Sequence, residues 1–93
     1  MPRTLVITRR FDRSYGKRTP LERQSVDLAL QSFADDIRTG HAALGFGIKQ
    51  LHPGIYEFRV GLALRVVYVI EGSTIYLTLV GRHDDVQRFL KSQ

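Results

Sequence analysis

Four short runs of strand-forming residues follow one another in the second half of the chain, and they restrict the possible folds more than any other feature. The runs are residues 48–51, Ile55–Val60, Leu64–Glu71 and Thr74–Gly81. Turn-forming segments separate them, at residues 52–54, 61–63 and 72–73. The last of these is a Gly-Ser pair, which is typical of a two-residue β-hairpin turn. Strands this short and this closely connected predict a mainly antiparallel sheet of about four strands.

The turn positions predict the register of this sheet. If Gly72 and Ser73 form one turn, Arg65 pairs with Val80, and closing the turn at 61–63 pairs Arg59 with Arg65. Because side chains alternate between the two faces of a sheet, the register predicts one apolar face and one open face. The apolar face, expected to lie under the helices, contains Tyr56, Phe58, Val60, Val66, Tyr68, Ile70, Ile75, Leu77 and Leu79. The open face contains Glu57, Arg59, Arg65, Val67, Val69, Tyr76, Thr78, Val80 and Arg82.

The first half of the chain predicts a strand followed by two helices. Residues 4–9 alternate as a short strand does, and residues 11–18 predict a short helix. Thr19 and Glu22 form a capping-box pattern around Pro20, and this pattern starts a longer amphipathic helix. Its apolar stripe consists of Val26, Leu30, Phe33 and Ile37.

The chain is predicted to end in a further short helix over residues 84–91. Asp84 or Asp85 would cap it. Its buried side consists of Val86, Phe89 and Leu90. Gly40 is the expected end of the longer helix. With 93 residues the chain is one domain, residues 1–93, and the element order predicts an α+β fold with a helical layer on a mainly antiparallel sheet.

The positive charge of the chain is concentrated near its N-terminus. The net charge is +5, and the first 23 residues, with seven basic and two acidic side chains, account for all of it. Such a segment favours a polyanionic partner, nucleic acid before a membrane surface, although a solvated basic helix face is the alternative. The chain has no cysteine, which excludes disulfides and thiolate metal sites. No apolar run predicts a signal peptide or a membrane span, so we expect a soluble cytoplasmic protein.

Arg59 opposite Arg65 is the most unusual pairing in the predicted sheet. Like charges directly across two strands are destabilising, so an anion bound between them is one explanation. The alternatives are guanidinium groups that splay into water or that pair with Glu57. His83 follows the last strand and could exchange protons near neutral pH, although a surface histidine is the more common case. The other two histidines, His41 and His52, are interpreted as incidental.

Several motifs resemble the RelE/ParE toxin superfamily. They are the run Leu51-His-Pro-Gly-Ile-Tyr-Glu-Phe-Arg-Val60, the Leu64-Arg-Val-Val-Tyr68 strand, the strand end Leu79-Val-Gly-Arg-His-Asp-Asp-Val86, and Phe89-Leu90. About half of the chain matches the pattern closely, and the upstream strand and helical pair fit it more loosely. The resemblance implies the toxin of a type II toxin–antitoxin system, with a cognate antitoxin as partner and no cofactor.

For RelE-like members, the resemblance implies an endoribonuclease that cuts mRNA on the ribosome without a metal ion. The attack of an RNA 2′-hydroxyl on the adjacent phosphate needs a base, an acid and cations. By position, the resemblance implies that Arg59, Arg65 and His83 are catalytic. Glu57 stands where a second basic residue is expected, so it either acts as a base or neutralises Arg59. The residues expected to bind RNA phosphates are Arg82, Lys49, Arg9, Arg10, Arg13, Lys17 and Arg18.

Two other functions are compatible with the same resemblance. A ParE-like toxin would inhibit DNA gyrase without catalysis, using the basic helical segment 9–23 as a contact surface. A decayed toxin would only bind its antitoxin, and Glu57 within the site favours this alternative. In each case we expect a monomer that assembles with its antitoxin into a hetero-oligomer.

Overall fold

Five strands form one mixed sheet with helices on both of its faces. The structure is a computed structural model and describes residues 3–39 and 48–93. The elements are β1 (Thr4–Ile7), α1 (Arg9–Gly16), α2 (Pro20–Thr39), β2 (Lys49–His52), β3 (Ile55–Val60), β4 (Leu64–Glu71), β5 (Thr74–Gly81) and α3 (His83–Lys91). The strand order is β1-β5-β4-β3-β2, with β1 parallel to β5 and the other pairs antiparallel. The predicted α+β fold is confirmed, whereas the predictions for Gly40 and His41 concern positions outside the described residues.

The first helix begins two residues earlier than the sequence predicted. Thr8 ends the first strand, since its hydroxyl donates to the carbonyl of Leu77 at 2.8 Å and accepts from the N–H of Phe11 at 3.2 Å. A threonine that accepts from the third following residue is a helix N-cap. The strand therefore covers Thr4–Ile7 instead of 4–9, and the helix covers Arg9–Gly16 instead of 11–18.

The long helix α2 starts as predicted, at the capping box. The N–H of Thr19 donates to Glu22 Oε1 at 2.9 Å, and the N–H of Glu22 donates to Thr19 Oγ1 at 3.1 Å. Its predicted stripe faces the sheet, with Val26 and Phe33 buried and Leu30 and Ile37 packed beside them.

Aromatic rings form the centre of the core between α2 and the sheet. The ring of Phe33 lies 4.7 Å from that of Phe58 and 4.9 Å from that of Tyr68, measured between centroids. Burial raises the pKa of Tyr68 to about 12. No helix within 3–39 or 48–93 is long and apolar enough to cross a bilayer.

A β-bulge in β5 makes the predicted register wrong beyond Leu77. Tyr68 pairs with Leu77 but Val67 pairs with Leu79, so Thr78 is an extra residue on β5. The extra residue exchanges the faces of the residues that follow it. Val80, predicted on the open face, is buried in the core beneath α1 and α2, and Leu79, predicted in that core, lies on the opposite face. Consequently Arg65 pairs with Gly81 instead of Val80.

The predicted open face is only partly open, because α3 covers much of it. Val86 and Phe89 of α3 pack against Val67 and Leu79 in a second core cluster. This apolar side of α3 agrees with the sequence prediction, although Leu90 is only partly buried. The helix begins with Arg82 at the N-cap position, and the side chain of Asp85 accepts from the N–H of Arg82 at 2.9 Å. One end of the sheet face, where β5 passes into α3, remains uncovered.

Gly81 is required by the tight junction between β5 and α3. A Cβ atom at Gly81 would lie 2.7 Å from the Cβ atom of Asp85. We expect Gly81→Ala to lower the free energy of unfolding by about 1–3 kcal/mol, since overpacking displaces the start of α3. Gly16→Ala is the control, because nothing lies within 4 Å of a Cβ built there. Urea unfolding of both variants tests this, and equal stabilities would contradict it.

Candidate functional site: a row of basic residues at the end of the sheet

Arg59 and Arg65 are cross-strand neighbours, as the turn positions predicted. Arg59 of β3 pairs with Arg65 of β4, which in turn pairs with Gly81 of β5. This transverse row, Arg59–Arg65–Gly81, is here called the basic row. The two side chains share the face that carries α3, at the end of the sheet where α3 begins. Arg59 is exposed, and the side chain of Arg65 is 24% exposed, so an anion in solution can reach both.

Glu57 forms an ion pair with Arg65, not with Arg59. Glu57 Oε2 accepts a hydrogen bond from Arg65 Nη1 at 3.1 Å, diagonally across the β3–β4 pair. Glu57 is only 3% exposed, and its Oε1 atom is buried without a hydrogen-bond partner in the structure. A buried carboxylate needs a nearby cation to offset its lost hydration. Glu57 therefore holds the guanidinium group of Arg65 against the sheet and orients it.

His83 and Arg82 follow the basic row directly but project differently. His83 is the first residue of α3 and is exposed at the uncovered end of the sheet. Because the bulge exchanges the faces of the residues after Thr78, Arg82 lies on the same face as Val80. Its Nη2 atom donates to Glu22 Oε2 of α2 at 3.2 Å. Hydrogen bonding from the Thr19 backbone holds the pKa of Glu22 below its usual value, and the charges of Arg18 and Arg82 add to this effect. Arg82 thus belongs to the α2 side of the sheet, apart from Arg59 and Arg65.

Three of the basic residues predicted to bind RNA lie together in a groove between α1 and α3. The groove has a volume of about 490 Å³ and follows β5 past the end of β1. Its cationic side chains are Arg10 and Arg13 of α1, Lys17 at the C-cap of α1, and Arg88 of α3, and Leu79 and Phe89 form its floor. We call it the α1–α3 groove. Because α3 stands between them, the groove and the basic row are separate surfaces.

The remaining predicted phosphate-binding residues lie elsewhere. Arg9 is exposed on α1 and does not line the α1–α3 groove. Arg18 is half-buried at the turn into α2, where its Nε atom donates to the carbonyl of Ser14 at 3.3 Å. Lys49 pairs with Glu57 on the edge strand β2, so it lies next to the basic row on the same face. His52 is exposed at the end of β2.

The sequence did not identify Arg88 as a member of a basic surface. Its position three residues after Asp85 on α3 was the available signal, since Arg88 Nη2 donates to Asp85 Oδ1 at 2.7 Å. Within the described residues, no group of three or more His, Asp or Glu side chains could hold a metal ion.

No protein-family model matches the chain, and no curated protein matches its sequence. Similarity appears instead among solved structures. The toxin–antitoxin complex of YafQ with DinJ from E. coli contains a chain that superposes with a TM-score of 0.73 over 92% of this chain and 98% of that one, at 9% identity. The RelB–RelE antitoxin–toxin complex from Methanococcus jannaschii gives 0.71, with coverages of 90% and 96% and 16% identity. This chain has the RelE-type toxin fold.

A third RelE-type structure, from the RelBE2 toxin–antitoxin complex of Mycobacterium tuberculosis, has a higher identity of 23% with a TM-score of 0.59. It covers 89% of this chain and 100% of that one. At these identities the RelE-type fold is established, and the function has to be argued from the side chains of this chain.

Proposed function

We propose that this chain is the toxin of a toxin–antitoxin pair and that it cleaves mRNA on the ribosome. The observation that carries the proposal is the basic row, where two arginines stand side by side at the uncovered end of a sheet face next to His83. The RelE-type fold supports it, because the solved relatives named above were found in complexes with antitoxins. A cognate antitoxin is the proposed protein partner, and the proposed site of action is the cytoplasm.

The proposed reaction is an intramolecular transesterification of RNA. The ribose 2′-oxygen attacks the adjacent phosphorus, and the bond to the 5′-oxygen of the next nucleotide breaks, leaving a cyclic phosphate and a 5′-hydroxyl. One proton leaves the 2′-oxygen and one reaches the 5′-oxygen, and His83 is the titratable side chain proposed to transfer one of them. Arg59 and Arg65 are proposed to stabilise the negative charge that grows on the phosphate oxygens.

Glu57 is proposed to be a positioning residue in this reaction. One of its carboxylate oxygens is occupied by Arg65 and the residue is almost completely buried, which argues against direct contact with an RNA 2′-hydroxyl. A carboxylate in this position keeps the guanidinium group of Arg65 in one orientation before the substrate arrives, and such preorganisation is where electrostatic catalysis gains most of its effect.

The test of this proposal uses the two exposed residues, whose removal should leave the fold intact. We expect Arg59→Ala combined with His83→Ala to abolish growth arrest on induction and to lower cleavage by about 10²-fold or more, as expected for the loss of a cation and a proton-transfer group. Arg38→Ala is the control, since Arg38 is an exposed arginine on α2 whose ion pair among the described residues is with Asp35, three residues away. Mapping of transcript 5′ ends after induction measures cleavage directly.

Two results would contradict the nuclease proposal and select an alternative. Growth arrest with intact transcripts and DNA damage would indicate a gyrase inhibitor, for which the basic α1 surface is the supporting observation. No arrest by the unmodified chain, together with antitoxin binding, would indicate a protein that only binds. The ion pair between Glu57 and Arg65 favours this second alternative, because it neutralises half of the charge in the basic row.

A further inference from the structure

The α1–α3 groove carries an unneutralised positive charge. Its lining contains four basic side chains and one acidic side chain, Asp85, which already pairs with Arg88. Arg10, Arg13 and Lys17 form no ion pair with an acidic residue of the described chain. The ten residues outside the described ranges contain no Asp or Glu that could neutralise them. Cations held together without counter-charges repel one another, so an anionic ligand would relieve the repulsion.

The cations of α1 are spaced along one line. Arg10, Arg13 and the C-cap residue Lys17 are related by i, i+3 and i+7, and the helical backbone angles of Lys17 keep all three on the same side of the helix. With a rise of about 1.5 Å per residue, the outer two are about 10 Å apart along the helix axis. About three nucleotides of a stacked strand, each rising about 3.4 Å, cover that distance. The line of charges therefore matches a repeating anion better than a single one.

The floor of the α1–α3 groove offers little apolar surface to a protein partner. Leu79 is 9% exposed and Phe89 is 3% exposed. The guanidinium carbon of Arg10 lies 4.8 Å from the centroid of the Phe89 ring and shields it further. A docked protein helix gains most of its affinity from apolar anchors in pockets, and none is available here. A phosphate backbone requires only cations and hydrogen-bond donors.

From these observations we infer that the α1–α3 groove binds the sugar–phosphate backbone of single-stranded RNA, at a site separate from the basic row. The inference rests on the proposed function in assuming that RNA is the substrate. The groove contributes affinity without sequence preference, and cleavage takes place at the basic row on the other side of α3. Retention and cleavage of RNA are then separable by mutation.

The test compares two double variants that remove the same charge from different places. Arg13→Gln with Lys17→Gln removes two cations from the α1–α3 groove, and Arg3→Gln with Arg38→Gln removes two exposed cations that do not line it. The ligand is a fluorescent single-stranded oligonucleotide with 2′-O-methyl groups, which cannot be cleaved by attack of the 2′-oxygen. Fluorescence anisotropy measures the dissociation constant at several salt concentrations.

We expect the groove variant to bind RNA about tenfold or more weakly at low salt. The slope of log Kd against log salt should fall by about 1.4, because each of the two lost phosphate contacts contributes about 0.7 to the slope for a single strand. The control variant should lose less than half as much. Equal losses would mean that only net charge matters and would overturn the inference, as would no loss in either. If the groove variant binds RNA normally but loses binding to polyglutamate, the inference is overturned in favour of an acidic protein partner.

The same measurement separates this inference from the proposed function. The Arg59→Ala and His83→Ala variant should bind the uncleavable RNA through the intact α1–α3 groove, with at most a threefold change in Kd. If that variant still arrests growth while the groove variant loses RNA binding, the nuclease proposal fails and the groove inference stands. If it loses arrest while the groove variant binds RNA normally, the groove inference alone fails.

Discussion

Replacing Arg65 with alanine is expected to lower the free energy of unfolding by about 2–3 kcal/mol. The change removes the only hydrogen-bond donor that the described residues give the side chain of Glu57, and it leaves a carboxylate that is 3% exposed without its ion-pair partner. Loss of one partner from a buried ion pair costs about 3–5 kcal/mol. The expected loss in the free energy of unfolding is smaller here, because the side chain of Arg65 is 24% exposed and water can enter the space it leaves.

A double-mutant cycle distinguishes this structural effect from a catalytic one. Glu57→Gln removes the charge that needs Arg65, so the variant with both changes should recover at least half of the stability lost by Arg65→Ala. Arg59→Ala is the matched control, since Arg59 is exposed, and its stability should change by less than about 0.5 kcal/mol. Urea unfolding measures the four variants and the unmodified chain. Equal losses for the two arginines, or no recovery in the double variant, would show that Glu57 does not depend on Arg65.

The second large effect is expected at Phe58, where alanine should lower the free energy of unfolding by about 3–5 kcal/mol. Phe58 is completely buried, and its ring lies 4.7 Å from that of Phe33 and 6.1 Å from that of Tyr68. A domain of this size has a total stability of roughly 5–15 kcal/mol, so the loss is a large part of it. The melting temperature should fall by more than about 10 °C.

Phe58→Leu is the control for this prediction because it fills most of the same space, and it should cost about 1 kcal/mol. Calorimetry of the two variants beside the unmodified chain checks both values. A loss of less than about 1 kcal/mol for alanine would mean that the cluster around Phe33 collapses into the cavity and that the core is less tightly packed than the ring distances indicate.

The elements that the sequence predicted well are those decided by neighbouring residues. The capping box at Thr19 and Glu22 is a contact over three residues, and the structure contains both of its hydrogen bonds. The hairpin turns at 61–63 and 72–73 likewise depend on local glycines, and Gly61 and Gly72 have positive φ angles of 64° and 58°. For this reason the pairing of Arg59 with Arg65 was predicted correctly.

The features that the sequence did not predict depend on contacts between distant elements. Nothing in the residues around Thr78 marks a bulge, which is decided by packing on both faces of β5 at once. Parallel pairing of β1 with β5 joins residues about 70 positions apart. Beyond β1, the edge of β5 is closed by Ser14 of α1, whose Oγ atom accepts from the N–H of Val80 at 3.0 Å. This docking of α1 creates the α1–α3 groove, which no sequence motif predicts.

The candidate site was predicted in composition but not in arrangement. Alternation alone placed Glu57, Arg59 and Arg65 on one face, which is how the structure has them. Which arginine takes the carboxylate depends on the diagonal geometry of the β3–β4 pair, and alternation carries no information about it. Arg82 was assigned to the same face because the predicted alternation continued through β5 without interruption, and its pairing with Glu22 follows from the extra residue.

That extra residue also restricts the changes of length that this segment can tolerate. Deleting one position between Tyr76 and Gly81 would turn Leu79 and Val80 toward the wrong layers and would reverse the side from which α3 departs. Replacing the side chain of Thr78 disturbs none of this, because it lies outside the regular ladder. The number of residues between Tyr76 and Gly81 therefore matters more than the identity of the residue at 78, because Leu79 and Val80 have to face two different hydrophobic layers.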